Sequence, residues 1–285
     1  MNIGFYAEDA HLRPHAELLC GSLRRHLPGA RITIVVPETP DASLPGSFRP
    51  FADRILSLRY VPSHPFTDKI HAAALFEASL SPKEPFLWMD VEGYFRKPPD
   101  FPPTGPGLLI NPVDIRNVGI PAGAPWTPLW AGILRHFGIE TEASAWGFRK
   151  TVVTKEEIRP YFNVGFVFVR DPHGVFRVAA SAIDALEADP GFAPVIESPL
   201  NRIFFHQAVV AIAALSLYGE SGIGPLPPGF NYPLHLHDRN LEPADLSRIG
   251  SLRYDGNLGD LPLTPADWEK LPEELRDRRR ELTER

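Results

Sequence analysis

Residues 86–92 read FLWMDVE, an apolar run that ends in two carboxylates, Asp90 and Glu92, one residue apart. Four apolar residues between proline-containing turns predict an inner strand, and acids at its carboxyl end fall where open α/β sheets place their ligands. Two hard oxygen ligands at such a place suit Mg²⁺ or Mn²⁺ held against a diphosphate, because these cations prefer carboxylates plus substrate phosphates to an all-protein cage. The plain alternative is a solvated turn with two acids in it.

Outward from that stretch, the pattern alternates strand and helix. Residues 2–7 and the RITIVV run at 31–36 read as buried strands, and residues 15–26 between them carry apolar side chains at helical spacing, with Gly29 near the end. This βαβ opening predicts a mostly parallel sheet with its ligand cleft at the loops after the strands. Neither G-x-G-x-x-G nor a P-loop follows the first strand, which argues against dinucleotide or NTP chemistry. Residues 54–61 predict another strand, and residues 67–79 a helix capped by Thr67 or Asp68. After a strand at 107–110 comes an insertion at about 111–150, irregular in pattern and holding Trp126, Trp130 and Trp146; long loops of this kind are usually functional. The three tryptophans either stack on a ligand or close a small subcore.

Strand pattern returns at 161–170, YFNVGFVFVR, where Asn163 and Gly165 interrupt the apolar run; a glycine inside a strand often marks the close approach of another group. A helix at 175–187 and a strongly apolar one at 202–217 follow, with His206 and Gln207 near the latter's amino end. Residues 219–260 are turn-rich, and residues 261–285 form a charged helical tail expected to be solvated. Residues 1–260 therefore read as one α/β domain.

Composition narrows the function. A 285-residue chain with 44% hydrophobic residues has a real core, and a formal charge of −6 argues against a nucleic-acid partner. No stretch reads as a transmembrane segment of roughly 20 apolar residues, and Glu8 and Asp9 stand where a signal peptide needs its apolar centre, so a cytoplasmic location is expected. Cys20, the single cysteine, lies in an apolar run and reads as a packed thiol. The 32 prolines cluster in loops and stiffen them.

In this order the motifs resemble those of nucleotide-sugar glycosyltransferases of the GT-A fold, particularly the glycogenin-like and lipopolysaccharide galactosyltransferase-like (family 8-type) group. LWMDVE stands for the family's D-x-D strand, with Asp90 matching and Glu92 a longer acid than usual; DKIHAAALFE supplies a helix lysine, Lys69; FNVGFVFV resembles the family's "fNaGvmv" strand at Asn163 and Gly165; FFHQAVVA resembles its "DQ" helix start, with His206 for the acid and Gln207 retained; and LPPGFNYP resembles its "lp..wN" turn at Asn231. The resemblance implies a GT-A α/β fold with a mostly parallel mixed sheet and a Rossmann-like N-terminal half. It implies transfer of a hexose from a nucleotide-diphosphate sugar, most simply a UDP-sugar, to an acceptor hydroxyl. It also implies a Mn²⁺ or Mg²⁺ ion on Asp90 and Glu92, phosphate contact by Lys69, sugar contacts by Asn163, Gly165, His206 and Gln207, catalytic parts for Asp90, Asn163 and Gln207, and passage of Phe5, Tyr6 and Ala7 close to the nucleoside base. Where family members carry a metal-binding histidine, SLRYDGN has Arg253, which cannot ligate but can neutralise a diphosphate. The third ligand would then come from His235 or His237, which alternate along the chain, and His237 is preferred. A protein of this fold that binds sugar nucleotides without catalysis, or a metal-independent transferase, is the alternative.

Overall fold

Side chains of successive strand residues point to opposite faces, and here the two faces bury separate cores. In the 86–89 strand, Phe86 and Trp88 enter one core while Leu87 and Met89 enter the other; in the 162–169 strand, Val167 and Val169 join the first and Phe166 and Phe168 the second. A run apolar at every position is thus what a strand covered on both sides requires. The structure is a computed structural model that describes residues 1–38, 43–60, 64–140, 146–256 and 258–283.

The N-terminal half runs β1 (Asn2–Tyr6), α1 (Arg13–His26), β2 (Arg31–Pro37), α2 (Ser43–Phe48), β3 (Arg54–Leu58), α3 (Thr67–Ala78), β4 (Phe86–Met89), β5 (Gly93–Phe95) and β6 (Leu108–Pro112). Next come α4 (Pro128–His136), β7 (Arg149–Lys150), β8 (Glu157–Ile158), β9 (Phe162–Val169), α5 (Val175–Ala188), α6 (Ala193–Ile196) and α7 (Pro199–Tyr218). The chain ends with β10 (Ile223–Gly224), β11 (Tyr232–Pro233), β12 (Ser251–Arg253), α8 (Pro265–Trp268) and α9 (Glu273–Thr283). Seven strands form the central sheet in the order β10-β6-β9-β4-β1-β2-β3. All neighbours pair in parallel except β9, which is antiparallel to both β4 and β6. The sheet is therefore mixed and mostly parallel, as expected. A small sheet, β11-β12-β5, stands beside it over a third core that includes Tyr94, Leu252, Tyr254 and Trp268.

Several expectations need correction. Val61, placed at the end of the third strand, lies outside the described residues, and β3 ends at Leu58. The α3 helix is not capped by Thr67 or Asp68: its N-cap is Phe66 in the left-handed region, and the Thr67 hydroxyl donates instead to His64 O at 2.9 Å. The 111–150 insertion is not shapeless, since α4 forms within it (residues 141–145 lie outside the described set). Trp130 is buried, donates Nε1–H to Val118 O at 2.6 Å and meets Tyr161 edge-on, while Arg159 covers the Trp126 ring at 4.2 Å; Trp130 belongs to the first core, and Trp126 and Trp146 pack partly buried against it. The charged tail docks through buried Leu275 and through Glu274, which accepts from Tyr94 Oη at 3.1 Å; residues 284–285 lie outside the described residues. By length and mean hydropathy (1.4) α7 is apolar enough to cross a bilayer, which the sequence reading did not register. Residues 208–215 of α7 are buried in the core packed against α5 and β9, which accounts for that apolarity. Cys20 is buried as expected, and burial pushes its thiol up to about 12.

Candidate functional site

The β4 strand stops at Met89 because the next residue leaves the core: Asp90 turns into a cleft of 360 Å³ at the carboxyl end of the sheet. Its backbone stays tied to the neighbouring strand through Asp90 N–H to Gly165 O at 2.9 Å. Strands β4 and β9 thus present Asp90 and Gly165 side by side, and the absence of a side chain at Gly165 is required there. A Cβ on Gly165 would collide with Asp90 Oδ2 and sit 3.0 Å from Asn163 Oδ1. The close approach anticipated at this glycine is the Asp90 carboxylate itself.

Lys69, on the first turn of α3, forms an ion pair with Asp90 Oδ1. Asn163 Oδ1 accepts from Gly165 N–H at 2.9 Å, and its Nδ2 donates to Asp114 Oδ2 at 3.1 Å. Arg253, at the end of β12 and almost fully buried, donates to both Asp114 and Asp255. Burial alone would depress the guanidinium, but Asp114, Asp255 and then Asp90 outweigh it and raise it further. The cleft therefore holds two fixed cations. Glu92 lies in the same cleft and accepts from Gly256 N–H at 3.0 Å; burial first, then Asp90 and Asp255, raise its carboxyl to about 7.

On the opposite wall, α7 contributes His206 and Gln207. His206 is buried with no hydrogen-bond partner on Nδ1 among the described residues. Burial, reinforced by Lys69, lowers its imidazole to about 3, so it stays neutral. The residues singled out at positions 69, 90, 92, 163, 165, 206, 207 and 253 thus line one cleft, although they come from widely separated parts of the chain.

Phe5, Tyr6, Ala7 and His237 do not line this cleft. Phe5 and Ala7 are fully buried in the core under α1, because alternate residues of β1 face that side; only Tyr6 of this group is partly exposed, its hydroxyl pushed up by burial and by Asp68. His237 does not face the cleft: its Nδ1 is 2.7 Å from Tyr232 Oη. His235 is the one beside the site, with Nε2 3.3 Å from Asp255 Oδ2. Asn231 supports a turn in left-handed backbone and donates its N–H to Ser251 Oγ at 2.8 Å. Asn257, at the end of SLRYDGN, lies outside the described residues. Sequence reading missed Asp114 and Asp255, which hold Arg253, and Phe66 and Ile203 at the cleft wall. The signal for Asp114 was its place just after β6, the same strand-end position that drew attention to Asp90.

The cleft side chains fit a divalent cation poorly as they stand. One oxygen of Asp90 is committed to Lys69, and Glu92 accepts from Gly256 N–H. Among the described residues no group of three or more His, Cys, Asp or Glu converges, so a cation here would take its further ligands from substrate phosphates.

No family model and no curated protein sequence matches the chain. Solved structures do. The galactosyltransferase LgtC, crystallised with donor and acceptor sugar analogs, superimposes with a TM-score of 0.51 at 13% identity, over 98% of this chain and 100% of that one. The glycosyltransferase GlyE of Streptococcus pneumoniae TIGR4, in its apo form, gives a TM-score of 0.51 at 13% identity over 99% of this chain and 63% of that one. Identity this low speaks to architecture alone. Joined to the mixed sheet and its cleft at the ends of β4 and β9, the likeness shows that this chain has the GT-A glycosyltransferase fold.

Proposed function

We propose that the protein is a glycosyltransferase that moves a hexose from a nucleotide-diphosphate sugar, most simply a UDP-sugar, to an acceptor hydroxyl. The observation that carries this reading is the convergence of Lys69, Asp90, Asn163, Gln207 and Arg253 in one cleft at the carboxyl end of the sheet. In the transfer, the bond between the sugar anomeric carbon and the diphosphate oxygen breaks, a bond to the acceptor oxygen forms, and the acceptor's proton leaves with the diphosphate or to solvent. Stabilising the charge that grows on the departing group is usually the largest contribution to such a rate. Lys69 and Arg253 supply it here, and Asp90 and Asp114 hold those cations in place. Asn163, fixed by Asp114 and Gly165, and the partly buried Gln207 are the residues this reading assigns to sugar hydroxyls. GT-A transferases commonly use a divalent ion; in this reading no step is routed through one, because Asp90 is already paired with Lys69.

Calorimetry with UDP-hexoses, with and without Mn²⁺, followed by measurement of UDP release, tests the reading. Binding without metal, slow UDP release, and a loss of about tenfold in affinity in Lys69→Met, the size of one charge-assisted hydrogen bond, are expected. No nucleotide binding under any condition would refute it. Binding without any turnover would favour the second reading, a sugar-nucleotide-binding protein of this fold, to which Glu92 and Arg253 at the metal positions lend support.

A further inference from the structure

Phe66 stands out at the mouth of the cleft. It is a bulky residue in left-handed backbone (φ 65), a conformation that costs energy for any side chain but glycine and tends to persist at functional sites. Its ring is 46% exposed, 6.0 Å from Lys69 Nζ and 5.5 Å from the His206 ring. Ile203 of α7, 39% exposed, lines the same cleft, and Leu200, 53% exposed, lies one turn before it on the helix. Single exposed apolar side chains are ordinary, but a contiguous set beside a cleft marks a binding surface. Among the described residues the other exposed large apolar side chains, Met1, Phe148 and Leu241, line neither this cleft nor the groove beside it.

The groove beside it, 620 Å³, opens along the first turns of α7, and Val118, Pro121, Leu129, Val195 and Leu200 give it its apolar lining. Leu200, Ile203 and Gln207 follow one another at helical spacing on a single face, Gln207 inside the cleft and Leu200 in the groove. At 1.5 Å rise per residue the path from Gln207 to Leu200 is about 10 Å. An apolar track therefore leads outward from the place where sugar is handled.

We propose that this track is the acceptor's subsite and that the acceptor is a glycoside with an apolar alkyl or aryl aglycone, which lies along Ile203 and Leu200 while Phe66 covers it at the cleft mouth. The proposal rests on the transferase reading and specifies its acceptor class. A free, fully polar sugar would leave three apolar side chains wet for no gain.

The test is calorimetry on the full chain saturated with UDP, titrated with methyl and octyl β-D-glucopyranoside and β-D-galactopyranoside below micelle-forming concentrations. At least one octyl glycoside is expected to bind about tenfold tighter than its methyl counterpart, since shielding two methylenes from water suffices for that factor. Leu200→Asp, remote from the nucleotide, is expected to abolish the advantage and leave UDP affinity unchanged, and Phe66→Ala to reduce it. Equal binding of the methyl and octyl forms, binding of neither, or an octyl advantage that survives in both variants overturns the proposal while UDP binding leaves the transferase reading standing. Failure of the wild-type protein to bind UDP overturns that reading and the acceptor assignment together.

Discussion

Arg253 and Arg280 both face carboxylates, one in the floor of the cleft and the other on the outside of α9. The Arg253 side chain is 6% exposed and is shared between Asp114 and Asp255; the Arg280 side chain is 66% exposed and pairs with Asp277 one turn away. Water screens the second pair, and holding two long side chains together costs entropy, so its net contribution is small. At the first, removal from water makes every charge depend on its partner, and loss of one leaves the others unpaired in a poorly solvated place. The same residue types are ornament on α9 and framework in the cleft.

Four measurements can break or sharpen that contrast. Arg253→Ala is expected to cost about 3–5 kcal/mol in urea unfolding, because Asp114 and Asp255 then lack their cation; a cost below about 1 kcal/mol, the ordinary value of a surface pair, would erase the difference between the two regions. Gly165→Ala comes next, at about 1–3 kcal/mol for overpacking. Its Cβ would push the Asp90 carboxylate away from Lys69, so UDP affinity should fall with it; unchanged affinity would show that the position of Asp90 does not matter.

Glu92 gives a smaller, pH-dependent effect. Its carboxyl is raised from the usual range to about 7, so between pH about 4.5 and about 7 the folded chain holds a proton that the unfolded chain has released. Its contribution to stability is therefore present below that window and declines as pH rises through it. Comparing urea midpoints at pH 5 and pH 7.5, Glu92→Gln should show a shallower decline than the wild type. Parallel curves would mean that Glu92 is solvated like the α9 acids. Arg280→Ala is expected to change stability by no more than about 0.5 kcal/mol, and a larger effect would show that α9 is also framework.

Long apolar runs were legible. β4, β9 and α7 appear within a few residues of their expected bounds because each is buried on nearly all sides, and burial writes itself into sequence as unbroken apolarity. Asp90, Glu92, Asn163 and Gly165 could be picked out because they interrupt or end such runs, Lys69 and Gln207 came from the family resemblance, and the fold brings all six to one cleft. Errors fell where local pattern is silent. The Phe66 cap of α3 uses a backbone conformation no phenylalanine advertises, and Asp114 meets Arg253 across 139 residues of chain. Phe5 lies in the core and His237 meets Tyr232, because proximity along the chain does not say which face a side chain takes.

The sequence alone determined the alternation of buried strands and amphipathic or apolar helices, the mixed α/β architecture, and the acid pair that ends β4. These depend on the partition of side chains between water and core, which is a local and repetitive signal. Only the tertiary structure decided that Asp90 is paired with Lys69, that Arg253 is locked between two acids, and that His235 rather than His237 stands beside them. Charge pairing in a poorly solvated cleft depends on distance and burial, and neither is set until separate strands have been brought together.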